Sequence, residues 1–565
     1  MWTPNENDTS LLTDYIGFLG AHHDLSFKNY AELHQWSVEY PEIFWSSFAK
    51  YAGINFTESP SKILQLDNHM VDAKWFVGSE LNFAEHLFSR TDNFPAIIYR
   101  DETGRRRELS YKELFDKVRS FAFTLIDHGV TKGDVVAAIM TNCPESIIAM
   151  IATSSLGAIW TSCSPDFGTD AIFDRIGQVK PKVLIAVDQY QYGGKTFNVT
   201  EKIASVSTKL ESLSTTFIVQ NSDTTPDYKN LKDVVLFNEC LDHEEGLSFA
   251  PLPFDHPLYI MYSSGTTGKP KCIVHSAGGT LIQHMKEHQL HLNLKPKDRL
   301  FFFTTCGWMM WNWFVSALAS KATILLYEGS PFYPYNECLW DIADEEKISH
   351  FGISPGYIST LMKANAVPRE KHKLESLRTI LSTGSPLLSD HFQYIQDAIK
   401  DGVQISSISG GTDIISCFVL GNPILPVNKG EIQSIGLGMD VRVFNRHGQE
   451  TSQQEKGELV CTQPFPSMPI GFFNDPENKK YKQSYFNKYE NIWAHGDFAT
   501  ITENNGVIIF GRSDATLNSG GVRIGTAEIY RQTEKFPQIL DAVVIETTKN
   551  SESIVTLFLK LNKED

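Results

Sequence analysis

Tyr262-Ser263-Ser264-Gly265-Thr266-Thr267-Gly268-Lys269-Pro270-Lys271 brings three kinds of phosphate ligand into ten residues. Gly265 and Gly268 let backbone N–H groups close on an anion. Ser263, Ser264, Thr266 and Thr267 carry hydroxyls that donate to phosphate oxygens, and Lys269 and Lys271 add positive charge. The stretch reads as a polyphosphate cradle. It is not a Walker A loop, because only Thr266 and Thr267 separate the glycines and Pro270 follows the lysine. The apolar run 258–261 before it reads as a strand ending in the loop, where ligands of open α/β sheets sit. A flexible Ser/Gly/Thr surface loop is the competing reading. A buried strand running straight into two lysines makes it the weaker one.

Outward from the loop, strand and helix patterns alternate. Residues 96–99, 135–140 and 182–187 read as strands, and 111–128 and 145–158 as helices, the first stopping at Gly129. This alternation predicts a mostly parallel, helix-covered sheet. A similar run at 323–327, 339–346 and 350–353 predicts a second α/β subdomain. Strands with Gly-rich turns from 436 to 510 predict a small distorted β-barrel. Residues 1–95 carry aromatics at helical spacing, as in Tyr40-Pro41-Glu42-Ile43-Phe44-Trp45, and predict an N-terminal helical extension. The polar stretch 221–232 reads as a surface loop.

The bulk composition narrows the function classes. The chain has 565 residues, 42% of them hydrophobic, enough for large cores and several domains or subdomains. A net charge of −17 and a pI of about 5.5 argue against a general nucleic-acid or anionic-membrane surface. The eight cysteines include no CxxC pair, so a zinc ribbon or redox dithiol is not signalled and free thiols in a reducing cytosol are expected. Residues 1–10 lack a basic-then-apolar leader pattern. The longest apolar stretches, 146–163 and 308–319, read as buried helices rather than bilayer spans. The expectation is a soluble, cytoplasmic protein.

Four more segments carry chemistry. Thr383-Gly384-Ser385-Pro386 follows an apolar run as a strand-end turn. Ser409-Gly410-Gly411-Thr412-Asp413 ends another. His495-Gly496-Asp497 offers a carboxylate that can accept from two vicinal hydroxyls. Gly511-Arg512-Ser513-Asp514 follows it. In this order, and with the loop at 262–271, these segments resemble the signature of the adenylate-forming superfamily. Its members activate carboxylates with ATP and often pass them to coenzyme A.

The resemblance implies roles. Ser263, Ser264, Gly265, Thr266, Thr267, Gly268 and Lys269 would hold phosphates, Thr266 with a catalytic part. Gly384, Ser385 and Pro386 would pack on adenine, and Ser409, Gly410 and Gly411 would line the nucleotide. Thr412 would touch the α-phosphate and Asp413 would hold Mg²⁺. The family has glutamate at 413, so the shorter aspartate leaves room for a water. Asp497 would take both ribose hydroxyls, Arg512 and Arg523 would also contact the nucleotide, and Asp514 would be the hinge to a small C-terminal domain.

The runs Gly307-Trp308-Met309-Met310-Trp311-Asn312-Trp313, 409–415 and 514–525 resemble the acetoacetate-activating branch of the superfamily. The likeness runs from about Trp45 to the last residues. It implies a ligase of ketone-body and lipid metabolism that uses ATP, Mg²⁺ and coenzyme A and acts on small molecules alone. In acetate-activating relatives a tryptophan closes the acyl pocket where this chain has Gly410, so the pocket is expected to be wider here. Trp308, Met309 and Met310 would form its other walls. Lys195 and Gly520 would meet coenzyme A, although Tyr192 stands where an arginine is usual.

The expected class is α/β. Residues 1–95 form the extension. Residues 96–513 form a large AMP-binding domain of two helix-covered sheet subdomains plus a small distorted β-barrel. Residues 514–565 form the hinge and the start of an incomplete small α+β domain. The family's lysine near the end of that domain has no counterpart after Asp514, so the chain is expected to be truncated, impaired in adenylation and poorly ordered past the hinge.

Two motifs compete. Gly193-Gly194-Lys195-Thr196 mimics the end of a Walker A loop, but Gln189 stands where its first glycine is needed. His284-Met285-Lys286-Glu287-His288 is an HxxEH pattern that a metallohydrolase could use. It is expected instead to be a solvated helix face completed by His291. An acyl-CoA ligase for acetoacetate or another short acid, an inactive nucleotide-binding fragment, and a metallohydrolase are the readings carried forward.

Overall fold

The computed structural model describes residues 1–5, 9–222, 228–243, 246–263, 269–514, 516–519, 522–533, 535–536, 538–549 and 552–561. Two large sheets organise it, and the fold is mixed α/β. In the first, the strands Val234–Leu236, Thr215–Val219, Val183–Val187, Val135–Ile139, Ile159–Cys163, Pro257–Ser263, Lys271–Ser276 and Gly471–Phe472 lie side by side in that order. The pairs are parallel as far as Pro257–Ser263, and the last two pairs are antiparallel. Val135–Ile139 and Val183–Val187 are buried at every residue, as sheets covered on both faces require.

The second sheet runs Gln404–Ser407, Thr379–Ser382, His350–Ile353, Arg299–Phe302, Thr323–Glu328, Pro95–Asp101 and Arg106–Ser110. Its strands are parallel except for the last pair. This corrects one expectation. The strand at 96–99 joins the second sheet, with Ile97 against Ile324 and Ile98 against Leu325, not the sheet formed by the strands that follow it in sequence. The two sheets are therefore interleaved along the chain.

Local chemistry accounts for the helices. Tyr111–Asp127 begins at a capping box in which Ser110 and Glu113 bond each other's backbone N–H groups. It buries Tyr111, Leu114, Val118, Phe121 and Leu125 along one stripe. Pro144–Ser155 is buried on all sides, and its hydroxyls avoid desolvation by donating back along the helix, as from Thr153 to the Ala149 carbonyl at 2.8 Å.

The amino-terminal helices Leu11–His23, Tyr30–Glu39 and Pro41–Tyr51 bury Phe44 and Trp45. The extension is not helical throughout, since Lys62–Gln65 pairs with Lys74–Val77. Tyr30 donates to the Ile435 carbonyl at 2.6 Å, tying the extension to the body. The region 436–512 also departs from expectation. Val441–Phe444, Gly457–Cys461, Trp493–Ile501 and Val507–Arg512 form an open four-stranded antiparallel sheet whose outer strands do not pair, rather than a closed barrel.

Past Asp514 the described residues form the hairpin Thr516–Ser519 with Val522–Gly525, the helix Thr526–Thr533 and the hairpin Ile539–Lys549 with Glu552–Leu561. Phe536 and Phe558 remain exposed there. The eight cysteines are free and buried. Among the described residues no helix is long and apolar enough to cross a membrane.

Candidate active site

A cleft of about 1470 Å³ opens where strands of both sheets end. Cys163, Ser263, Phe302, Ser354, Thr383 and Ser407 line it, and each sits at or one residue past the carboxyl end of a parallel strand. That is the position at which open α/β sheets bind ligands. Ser263 Oγ is buried here without a hydrogen-bond partner among the described residues, an orphan that an incoming acceptor could satisfy. Ser264, Gly265, Thr266, Thr267 and Gly268 lie outside the described residues, as does Gly520. Lys269 reaches Asp174 at 3.8 Å.

The turn at 383–386 and the segment 409–412 face the same cleft. Thr383 Oγ1 donates to the Ile408 carbonyl at 2.9 Å, which fastens the turn to the end of the neighbouring strand. Gly384 holds a φ of 99°, a left-handed conformation that suits glycine. His275 donates through Nε2 to the Thr412 carbonyl at 2.9 Å. Desolvation pushes the His275 pKa down to about 4, against the pull of that carbonyl and of Asp413.

Asp413 is 2% exposed and already held. Lys271 Nζ donates to its Oδ1 at 2.7 Å and the Tyr485 hydroxyl to the same oxygen at 2.5 Å. Lys271 also lies 4.8 Å from the centre of the Tyr485 ring, which stacks on Trp493. Lys271, read from the sequence as a phosphate ligand, is thus the partner of Asp413. Tyr485 was not foreseen. It lies 72 residues away from Asp413 in sequence, and no local pattern marks it.

Asp497 and Arg512 face one another across the four-stranded sheet. Arg512 Nη1 donates to Asp497 Oδ1 at 3.0 Å, and Nη2 donates to Asp514 Oδ2 at 2.5 Å. Burial works against the Arg512 charge, but Asp497 and Asp514 hold its pKa above the usual value. His495 Nε2 donates to the Gly410 carbonyl at 3.1 Å and so connects this strand to the 409–411 segment. Asp497, Arg512 and Asp514 all line the cleft. Arg523 lies in the strand Val522–Gly525.

The apolar side of the cleft carries Trp308, Met309 and Met310, at the start of the helix Met309–Val315. Gly410 lines the cleft as well, but its role is not simple vacancy. A Cβ there would stand 2.0 Å from the Ser416 carbonyl oxygen and 2.7 Å from Cys417 Cα. Gly410 therefore permits close approach of two strands, and a tryptophan cannot be added at this position without moving backbone.

Both competing motifs have structural roles instead. The Gly193 and Gly194 N–H groups donate to the two Glu102 carboxylate oxygens, each at 2.8 Å, so that a carboxylate fills the nest a phosphate would need. Lys195 is exposed on the hairpin formed by Gln189–Tyr192 and Lys195–Asn198 and does not line the cleft. The HxxEH helix is buried, not solvated: His284, Lys286, Glu287 and His288 have no exposure. His284 spends both ring nitrogens, on Ser316 Oγ at 2.8 Å and the Ile415 carbonyl at 2.5 Å. No cluster of three metal-binding side chains occurs among the described residues.

Comparison with known proteins agrees with this architecture. Residues 84–468 match the family described as AMP-binding enzyme, and residues 30–87 match the acetyl-coenzyme A synthetase N-terminus. The acetoacetyl-coenzyme A synthetase of Rhizobium meliloti (strain 1021) is 46% identical over 99% of this chain and 86% of its own length. The acetoacetyl-CoA synthetase of Gallus gallus is 42% identical over 99% of this chain and 86% of its own. The solved structure of acetoacetyl-CoA synthetase from Streptomyces lividans superposes with a TM-score of 0.87 at 38% identity, covering 100% of this chain and 87% of that one. With a cleft at the strand ends, and with such identity over nearly its whole length, the chain belongs to the acetoacetyl-CoA synthetases within the AMP-binding enzyme family.

Proposed function

We propose that the chain joins acetoacetate to coenzyme A at the expense of ATP, with both half-reactions at the cleft. One observation carries this reading. The cleft sets an anion-ready side, made by Ser263, the turn at 383–386, Thr412 and the Asp497–Arg512 pair, against the apolar wall Trp308–Met310. Such a division suits a nucleotide bound beside a short acyl chain. The names of the relatives, at 41–46% identity in the chicken, rat and Rhizobium proteins, support acetoacetate as the acid.

In the first step a carboxylate oxygen of acetoacetate attacks the α-phosphorus of ATP and the bond to pyrophosphate breaks. In the second, the coenzyme A sulfur attacks the acyl carbon, its proton is released and AMP leaves. Asp497 and Arg512 would orient the ribose, the turn at 383–386 the adenine, and Thr412 the α-phosphate. Positioning and preorganised charge do most of the work in such transfers. Thr266 and Lys269 would meet the departing phosphates. Asp413 is a hard oxygen donor of the kind Mg²⁺ takes, but it is buried against Lys271 and Tyr485, so it would hold an ion that neutralises charge on ATP only where that pairing gave way. Lys195, exposed outside the cleft, would meet phosphates of coenzyme A, and Asp514 would serve as the hinge between the two half-reactions.

The test is pyrophosphate release from the purified chain with ATP and a panel of short acids, followed by mass analysis after coenzyme A is added. Acetoacetate is expected to give the highest kcat/KM and a product with the mass of acetoacetyl-CoA. Release that is independent of any acid, or an equal rate with acetate, would overturn the assignment.

A further inference from the structure

Glu287 has no exposure and opens the π-turn Glu287–His291, which continues the helix Ala277–Lys286. Single π-turns recur at functional sites because they re-aim one side chain. Here the carboxylate reaches two separate elements. Oε2 accepts from Trp313 Nε1 at 2.7 Å, and Oε1 accepts from the Cys417 backbone N–H at 3.1 Å. Gln283 Nε2 adds a third donor at 3.1 Å, and Lys286 Nζ stands 3.7 Å away.

Those two elements are the two walls of the apolar end of the cleft. Trp313 belongs to the helix Met309–Val315, whose first turn supplies Met309 and Met310. Cys417 belongs to the strand Ser416–Leu420, which packs on Gly410 where the register slips. Ser416, Cys417 and Gly410 line the cleft from that side. A buried carboxylate that spends one oxygen on each wall fixes the distance between them, because charge-assisted hydrogen bonds in a dry interior are short and costly to break.

We propose that Glu287, which touches no substrate, is a positioning residue that sets the gap between these walls and thereby which acid the cleft accepts. The inference rests on the acyl-pocket reading given above. It predicts that Gln is no substitute. An amide has one acceptor oxygen, so its NH₂ must face either the Cys417 N–H or the Trp313 N–H, and one wall is released.

The experiment measures binding by calorimetry on the full chain, with AMP, acetyl-sulfamoyladenosine and acetoacetyl-sulfamoyladenosine as probes. Glu287→Gln is expected to weaken the acetoacetyl analogue by about tenfold, the loss of one charge-assisted bond, with AMP affinity changed less than about twofold. The preference between acetyl and acetoacetyl analogues should move with it. Trp313→Phe, which keeps an aromatic side chain but loses the N–H donor with part of the indole, should act in the same direction, and the double variant should lose less than the two single losses combined. A role confined to stability would lower the melting temperature and leave the ratio of the three affinities unchanged. That result in either folded variant overturns the proposal. If the wild-type chain binds AMP as tightly as both acyl analogues, the acyl-pocket reading fails and this inference falls with it. Should Glu287→Gln not fold, Trp313→Phe alone decides.

Discussion

Arg512 and Asp497 are direct partners across the antiparallel strands Val507–Arg512 and Trp493–Ile501, joined by a 3.0 Å bond from Nη1 to Oδ1. The same guanidinium holds Asp514 through Nη2. The carboxylate assigned to the ribose is therefore oriented before any ligand arrives, and the residue assigned to the hinge hangs from the same cation.

Asp497→Asn keeps the shape and removes the charge. AMP affinity should fall by about 1.5–3 kcal/mol, the usual worth of hydrogen bonds to a charged acceptor. Calorimetry with AMP measures it. Unchanged affinity would take Asp497 out of the nucleotide site.

Lys271 and Asp413 form a pair in which the acid is 2% exposed. Removing the cation in Lys271→Met takes the charged donor from a buried carboxylate that Tyr485 also bonds. Stability should fall by about 3 kcal/mol, as when one member of a buried pair is lost. Adding Asp413→Asn should recover part of it. Urea denaturation of the parent and of the single and double variants gives the answer, and a single-variant loss below about 1 kcal/mol, the level of exposed pairs, would show that the bridge matters little.

Gly410→Ala should cost at least ~1–3 kcal/mol, because its Cβ must displace the Ser416 carbonyl rather than a movable side-chain tip. Calorimetric melting checks it. A variant as stable as the parent would mean that the two strands separate easily. In that case the gain of bulk at 410 could tune the acid after all.

Acid should unfold the protein through its buried histidines. Desolvation lowers His275 and His350 from 6.5 to about 4 in the folded state. Above pH 6.5 both states leave these rings neutral and nothing is lost. Below it the unfolded chain takes up protons that the folded chain refuses, so stability falls until the pH nears 4. The slope is on the order of 1.4 kcal/mol per pH unit for each such ring. Denaturation midpoints between pH 7.5 and 4.5 test this. His350→Asn, placed away from the cleft, should flatten the slope by one ring's share, and an unchanged slope would show that His350 is not a source of it.

Much of the site was legible from short-range pattern. The strands ending at Ser263 and Ser382 carry apolar residues up to a small polar stop, and that change of composition marks the mouth of a parallel sheet, whereas the strand Gln404–Ser407 is largely polar and carries no such signal. The cysteines read as free thiols are free and buried. Glu287 was legible only as part of a motif. Its spacing to His284 and His288 suggested metal chemistry or a wet helix face, because sequence spacing states which residues share a helix face and not what that face meets.

Sequence by itself determined the class of elements, their order and the residue types gathered for nucleotide chemistry, since these follow from periodicity, capping and turn chemistry within a few residues. Tertiary structure alone decided the rest. It assigned the strand Pro95–Asp101 to the second sheet, paired Lys271 with Asp413, and filled the Gly193–Gly194 nest with Glu102. Each of these is a pairing between groups far apart in the chain. Hydrogen-bonding groups and charges are satisfied by whatever neighbour packing delivers, and burial makes leaving them unsatisfied too costly to permit any other arrangement.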